Sequence, residues 1–372
     1  MLTNLLGIRL MLLMGKTVPT PASYDVSTAL TTVEVTNSTE QGDGFQLTFT
    51  LGKDKAKEYG LLQGGTFDPS TRVVIGVLLG ATPEVLIDGI IMHHELTPSY
   101  EPGMTTLTVK GKDVSVMLDL EEKNDKYENQ LDSVIVTRLI ANYAKYGLVP
   151  QVTATTDVPI VTQRIPRQHE TDLKFIQRLA KRNGFVFYIE PLSFGTSTAY
   201  WGQENRLGVP QPALTMNMGP WTNATLNNFS QDALAPVEAK GVFVEPITKI
   251  SIPIPSLPSL RIPPFASSAT PPLRTVLLRE SANQNVAQAG LAGLEASMSA
   301  PDAVTSGGEV DTVRYGHVLR ARKLVGVRGV GASYNGNYYV KSVTHNFDRG
   351  KYTQKFELSR EGTGSLIPVV LA

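Results

Sequence analysis

The 372-residue chain contains no cysteine, which excludes disulfides and thiolate metal sites. Assembly in a reducing cytosol fits this absence. Charge is also scarce: 18% of residues are charged, against roughly 25% in ordinary soluble domains. Lys plus Arg and Asp plus Glu number 34 each, so the formal net charge is zero. A nucleic-acid binder would carry a basic excess or stripe, and neither is present, so no nucleic-acid partner is expected. Neutrality with sparse charge leaves little electrostatic protection against association, which favours extensive protein–protein contact. There are only five histidines, and a three-ligand zinc site would consume most of them. The apolar N-terminal stretch from Met1 to Gly15 is broken by Arg9 and preceded by no basic residue. It falls short of the roughly 20 residues that span a bilayer, so it reads as a first strand or an interface arm and no membrane insertion is expected.

What is present is dominated by period two. Val33 and Val35 alternate with polar neighbours, and Phe45, Leu47, Phe49 and Leu51 alternate again. That spacing puts one face of each strand in a core. Gln41-Gly-Asp-Gly44 supplies the turn between them. Further strands are expected at 73–79, 85–93 and 105–110, a pattern that suits a small barrel or a sandwich.

Near residue 130 the period changes. Ser133 is placed to cap a helix with apolar positions Val136, Leu139, Ile140, Tyr143 and Ala144, ended by Gly147. A second helix is signalled by Thr171 as cap and Asp172 in its first turn, where acid complements the helix dipole. Its expected stripe is Leu173, Ile176, Leu179 and Ala180, with Lys181 and Arg182 in the last turn and Asn183-Gly184 as the stop. A strand over 185–189 follows. Strand patterns resume at 214–218, 226–229 and 241–244. The Pro-rich run 251–264 reads as an extended arm or edge segment, because each proline removes a ladder donor. Residues 283–299 read as one Ala-rich helix followed by Pro301 and Gly307-Gly308, and the chain is β-rich again from Tyr315 to about Leu358. Two β-rich regions result, each large enough for one barrel.

Catalytic constellations are thin. His93-His94-Glu95 lies in a strand-like run, where adjacent side chains point to opposite sides and cannot easily share a metal. His169-Glu170 precedes the second helix and suits a helix start. His317 and His345 are isolated within β pattern and read as packing or surface residues. Asp119, Glu121, Glu122 and Asp125 could suggest paired carboxylates for glycoside hydrolysis, but they fall in the charged stretch 119–132, which reads as a solvated connector. No Gly-x-Ser-x-Gly elbow occurs, and Gly60-Leu-Leu-Gln-Gly-Gly65 lacks the Lys-Ser/Thr ending of a phosphate loop. Neither catalytic, cofactor-binding nor metal residues are expected, no cofactor is implied, and the partner interface stays unassigned.

The run from Gln163 to Tyr188, Gln-Arg-Ile-Pro-Arg-Gln-His-Glu-Thr-Asp-Leu-Lys-Phe-Ile-Gln-Arg-Leu-Ala-Lys-Arg-Asn-Gly-Phe-Val-Phe-Tyr, resembles the hallmark of phage late control D proteins. It is similar also to the hub region of VgrG spike proteins of type VI secretion. Gly89 to His94 with Thr105 to Asp119, Tyr200-Trp-Gly202, Leu214 to Met218, and the closing segments Gly329 to His345 and Gly350 to Arg360 resemble other parts of these hubs.

The resemblance implies a mainly β fold with α/β insertions, having two tandem small β-barrels per subunit and a helix-containing module between them. The expected layout is a first barrel over 1–128 and an α/β module over 129–195. Second-barrel strands would cover 196–250, the Pro-rich arm and helix 251–300, and the closing strands 301–372. It further implies a non-enzymatic baseplate hub: a homotrimer joining a hexameric tail tube, or a tube-initiator protein, to a trimeric spike beside other baseplate proteins. VgrG proteins carry a needle after the hub, so a separate spike protein is expected. The particle would be assembled in the producing cell's cytoplasm, either as a virion or as a phage-tail-like machine. The alternatives are a tail-associated cell-wall hydrolase and a carbohydrate-binding β protein.

Overall fold

A computed structural model describes residues 7–366 apart from 17, 53–58, 158, 160, 162–164, 245–249, 255–262, 279–292, 294–299 and 349. Three hydrophobic cores organise the fold. The first forms where the alternating strands Leu30–Ser38 and Gly44–Leu51 pair antiparallel, with Val33 opposite Leu47 and Val35 opposite Phe45. The expected inward residues Val33, Val35, Phe45, Leu47, Phe49 and Leu51 are all buried. They pack with Ile75, Leu86, Ile91, Leu107 and Val109 from strands Arg72–Leu79, Thr82–Thr97 and Thr105–Asp113. Ile8–Gly15 is the first strand, pairing antiparallel with Arg72–Leu79.

The second core belongs to two helices, Asp132–Ala141 and Asp172–Arg182, folded against the sheet Leu148–Val152, Val186–Ser193 and Thr196–Gly202. The second helix matches expectation: the Thr171 hydroxyl accepts from Lys174 N, and Gly184 leaves the helix at φ +64°. Its stripe is Phe175, Ile176, Leu179 and Ala180, with Leu173 half-buried, so Phe175 takes the place expected of Leu173. Each large apolar side chain so buried contributes roughly 1.5–3 kcal/mol. The indole of fully buried Trp201 closes this core and donates to Ile176 O at 3.2 Å.

The first helix departs from expectation at its start. Its cap position is Leu131, without a side-chain cap bond, and Ser133 lies inside the first turn, where its hydroxyl accepts from Thr155 N at 3.2 Å. The charged stretch before it is not wholly a connector, since Glu122–Lys126 forms a strand antiparallel to Arg167–Thr171.

The third core gathers Leu226, Val310, Leu319, Val327, Tyr338, Val340, Phe356 and Leu358. Its strands are Ala224–Gln231, Val304–Asp311, Lys351–Arg360 and Gly336–Asp348, with Leu324–Arg328 beside the last and Gln211–Thr215 parallel to it. Gly307-Gly308, noted in the sequence only as following the Ala-rich helix, is strand interior. A Cβ at Gly308 would overlap the Thr225 carbonyl and press on the Phe356 ring, so the glycine marks close approach and not a turn.

One continuous ladder links the first and third cores, because Leu30–Ser38 pairs antiparallel with Gly336–Asp348, from Ser38 opposite Ser342 to Thr32 opposite Asp348. Mainly β with inserted helices is therefore the observed class, but the 13-stranded sheet runs as an open path, and no pairing among the described residues closes a barrel. Ser251–Ile254, the start of the Pro-rich run, is an edge strand on Val237–Val244. The remainder through 262 lies outside the described residues, as does the Ala-rich helix expected over 283–299, save residue 293. No helix among the described residues is long and apolar enough to cross a membrane.

Candidate functional site: an arginine junction between the cores

Where the three cores meet, three arginines cross from one to another. Arg322 precedes Leu324–Arg328 at φ +63°, a left-handed conformation costing a non-glycine residue on the order of 1 kcal/mol. Its buried guanidinium donates to Asp43 at 3.0 and 2.5 Å and to Ser38 O at 2.6 Å, reaching the first core. The same group lies 4.5 Å from the centroid of the Tyr188 ring, on the helical module's sheet. Burial works against the guanidinium's charge, but the Asp43 carboxylate outweighs it and holds the group protonated more firmly than usual.

Asp43 is 4% exposed and fully engaged: Asn37 Nδ2 donates to it at 2.9 Å and Ser38 N at 3.0 Å. Beside it Asp113 N donates to the Asp43 carbonyl, while the buried Asp113 carboxyl caps the short turn Val114–Leu118 by accepting from Ser115 N at 2.9 Å. Burial, then the charge of Asp43, pushes the Asp113 carboxyl up to about 7.

Arg72 ties the first core to the helical module. Its fork grips buried Asp88 at 2.8 and 2.6 Å, and the same guanidinium donates to Tyr146 O at 2.7 Å and Gly195 O at 3.2 Å. Arg320 ties the third core to the first, donating to Val85 O at 2.6 Å and Glu84 Oε2 at 2.7 Å. A planar, permanently charged fork suits such bridges, since it binds a carboxylate and carbonyls in fixed directions at once. What this arrangement can do is fix the mutual orientation of three packed bodies.

The residues considered for chemistry lie elsewhere. His93 and His94 are adjacent and exposed on strand Thr82–Thr97, and His94 Nδ1 sits 2.9 Å from Phe67 O. His169 is exposed on strand Arg167–Thr171, so it is not at the helix start, and Glu170 pairs with Arg178 at 2.7 Å. His317 is exposed; His345 is fully buried, with Nδ1 2.9 Å from Tyr352 Oη. Burial pushes the His345 imidazole down to about 3. Asp119 accepts from the Thr171 hydroxyl at 2.5 Å, and Glu121, Glu122 and Asp125 are exposed. Among the described residues no group of three or more His, Asp or Glu could hold a metal ion. The junction arginines escaped sequence reading, because the groups they join across the cores are far away in the chain for Arg320 and Arg322, and Arg72 meets Asp88 across two paired strands and not within one local motif; Asp43 was visible only as part of a turn.

The fold is that of tail proteins from phage-like particles and type VI secretion. The tail protein of Neisseria meningitidis MC58 superposes with TM-score 0.64 at 12% identity, over 95% of this chain and 97% of that one. The 43 kDa tail protein of prophage MuSo2 from Shewanella oneidensis gives 0.61 at 15% identity, over 95% and 98%. The E. coli c3393 protein, described as a component of the type VI secretion system with structural similarity to T4 tail proteins gp27 and gp5, gives 0.55 at 14% identity, over 92% and 78%. No curated protein matches the chain by sequence. Residues 17–205, just over half of the chain, match the sequence model of the Alg8 N-terminal domain, and the chain belongs to that family.

Proposed function

We propose that this chain is the baseplate hub of a contractile injection machine or phage tail, of the late control D type. The observation that carries this reading is the likeness in fold to two tail proteins over nearly the whole length of both partners. In this reading the chain forms a homotrimer, its two β lobes repeated three times to give a six-unit surface for the tail tube or a tube-initiator protein. The opposite face keeps threefold symmetry for a separate spike protein, and other baseplate proteins pack around the ring. Closed cyclic symmetry requires one heterologous contact repeated three times. The low charge fraction supports such contacts, and the arginine junction supports an adapter whose lobes must keep a fixed angle. The role is structural and non-enzymatic, carried out in the baseplate of a particle built in the producing cell's cytoplasm. The layout divides as a first lobe over 1–128, the helical module over 129–195 and the second lobe from 196 onward, with 251–300 as an arm.

Light scattering on purified protein tests the assembly, with an expected mass of three times 40.3 kDa. Electron microscopy of particles tests the position. A protein that stays monomeric at high concentration and is absent from the tube–spike junction would overturn the proposal.

A further inference from the structure

The arginines that join the cores are ion-paired: Arg72 with Asp88, Arg320 with Glu84 and Arg322 with Asp43. Among the described residues three other arginines of the third core are not, and of these the fully buried Arg360 is satisfied by the Asn335 and Ser333 carbonyls. Arg314, exposed on the short helix Thr312–Tyr315, and half-buried Arg328 form no ion pair among the described residues; Arg328 Nε donates only to the Thr215 hydroxyl, at 2.7 Å. Both line one cavity of about 480 Å³, together with His317, Tyr315 and Trp221. Among the described residues no carboxylate lines it. Asp311, close in sequence, is occupied as the cap of the short helix, accepting from Val313 N at 2.9 Å.

The chain has two tryptophans, used oppositely. Trp201 is fully buried, whereas Trp221 is 72% exposed at the cavity wall. Its turn Gly219–Trp221 is held from both sides: Met218 N donates to Thr222 Oγ1 at 3.1 Å, Thr222 N to Gly219 O at 3.1 Å, and Asn223 Nδ2 to Ala213 O at 2.9 Å. An indole presented on so constrained a turn loses little entropy when covered, and Trp with Arg is the pairing that dominates interface energetics.

We propose that this cavity docks an acidic segment of a partner protein, its carboxylates set against Arg314 and Arg328 and its apolar side laid on Trp221. Charge complementarity argues for that occupant: two unpaired guanidiniums and an imidazole face a space with no acid of its own, and guanidinium forks bind carboxylates bidentately. A single nucleic-acid strand would also use an aromatic and an arginine, but it requires a basic groove that continues along the surface, and this chain is neutral. The proposal stands apart from the hub reading, since it concerns the chemistry of one pocket and not the place of the chain in a particle.

The test uses the full chain and a short synthetic peptide alternating Glu and Leu, followed by tryptophan emission. Trp201 is buried with its N–H bonded to Ile176 O, so a binding signal belongs to Trp221 and should vanish in Trp221→Phe. Saturable binding is expected, weakened about tenfold or more by Arg314→Glu and by high salt, as loss of a charge-assisted contact requires. The matched Lys–Leu peptide should not bind. Arg314→Gln removes the charge without adding one and supplies the comparison if Arg314→Glu folds poorly by thermal melt. No saturable change, unaltered affinity in the folded Arg314 variant, or tighter binding of a single-stranded oligonucleotide than of the acidic peptide would each overturn the proposal.

Discussion

Asp113 offers the sharpest test of the junction. It is 6% exposed, close to a second buried carboxylate, with only Arg322 as a shared cation. Burial and then Asp43 raise its carboxyl from 3.8 to about 7, while Ser115 and Arg322 pull the other way. The folded state therefore holds this proton more tightly than the unfolded chain does. Below 3.8 both states are protonated and the group contributes nothing to the difference. Between 3.8 and about 7 the unfolded chain ionises first, so stability falls as pH rises, and above that window the loss is complete. At roughly 1.4 kcal/mol per pH unit, a window of about three units sets a ceiling near 4 kcal/mol. Polarisable surroundings, which screen charges in a folded protein more than a dry interior would, bring the expected effect to about 1–2 kcal/mol. Asp113→Asn keeps an oxygen for Ser115 N and removes the ionisation. In urea unfolding at one fixed protein concentration, the variant should match the parent within about 0.5 kcal/mol near pH 4 and exceed its stability by about 1–2 kcal/mol near pH 8.5. His345 acts in the opposite sense, since its depressed imidazole costs stability as pH falls below 6.5, but it is common to both proteins and cancels. Parallel pH curves for the two proteins, or an asparagine variant that is the weaker one at pH 8.5, would refute the reasoning.

Two further outcomes follow from the packing. Arg322→Met leaves Asp43 buried with no cation and should cost about 3–5 kcal/mol in urea unfolding, most of it recovered when Asp43→Leu is added. Gly111→Ala would drive a methyl into the Phe45 ring and the Ile90 carbonyl, and should cost about 1–3 kcal/mol, read as a lowered Tm with the secondary structure retained.

The alternation in 33–51 was legible because a strand packed on one side repeats every two residues, and nothing at longer range competes with that period. The Asp172–Arg182 helix was legible for a similar reason: cap, stripe and stop all lie within a dozen residues and agree. Reading failed where a local signal has two physical meanings. Gly307-Gly308 follows the expected Ala-rich helix like a stop, yet it lies within a strand, and Gly308 sits where its neighbours approach too closely for a Cβ. Ser133 looks like a cap, but the helix begins at Asp132, two residues earlier than that cap would allow, and the hydroxyl serves Thr155 instead. The expected barrels failed to close because the strand that could return within each lobe pairs with the other lobe, a choice made across 316 residues at Thr32 and Asp348 in the shared ladder. Asp43 and Arg322 lie 279 residues apart, so no window of sequence contains both.

That ladder and the arginines constrain different motions. The pairing of Leu30–Ser38 with Gly336–Asp348 fixes register, since slipping one residue would turn every inward side chain outward. Twist about the ladder is softer, because neighbouring strands tolerate a wide range of angles. Arg322 anchors to Ser38 and Asp43 at one end of this ladder, and Arg320 reaches Glu84 and Val85 on a strand outside it. One anchor at the end of the hinge line and one off it together remove the rotation that the ladder leaves free. A buried ion pair adds little net stability compared with apolar packing of the same volume, so stability alone does not account for burying Arg72–Asp88 and Arg322–Asp43 here. Direction does: a guanidinium fork is satisfied at one angle, whereas methyl groups are satisfied at many. The Arg322→Met, Asp43→Leu pair should for this reason separate the two quantities, regaining stability while losing the fixed angle, measurable as a broader distribution of interlobe distances between probes placed on Lys16 and Lys351.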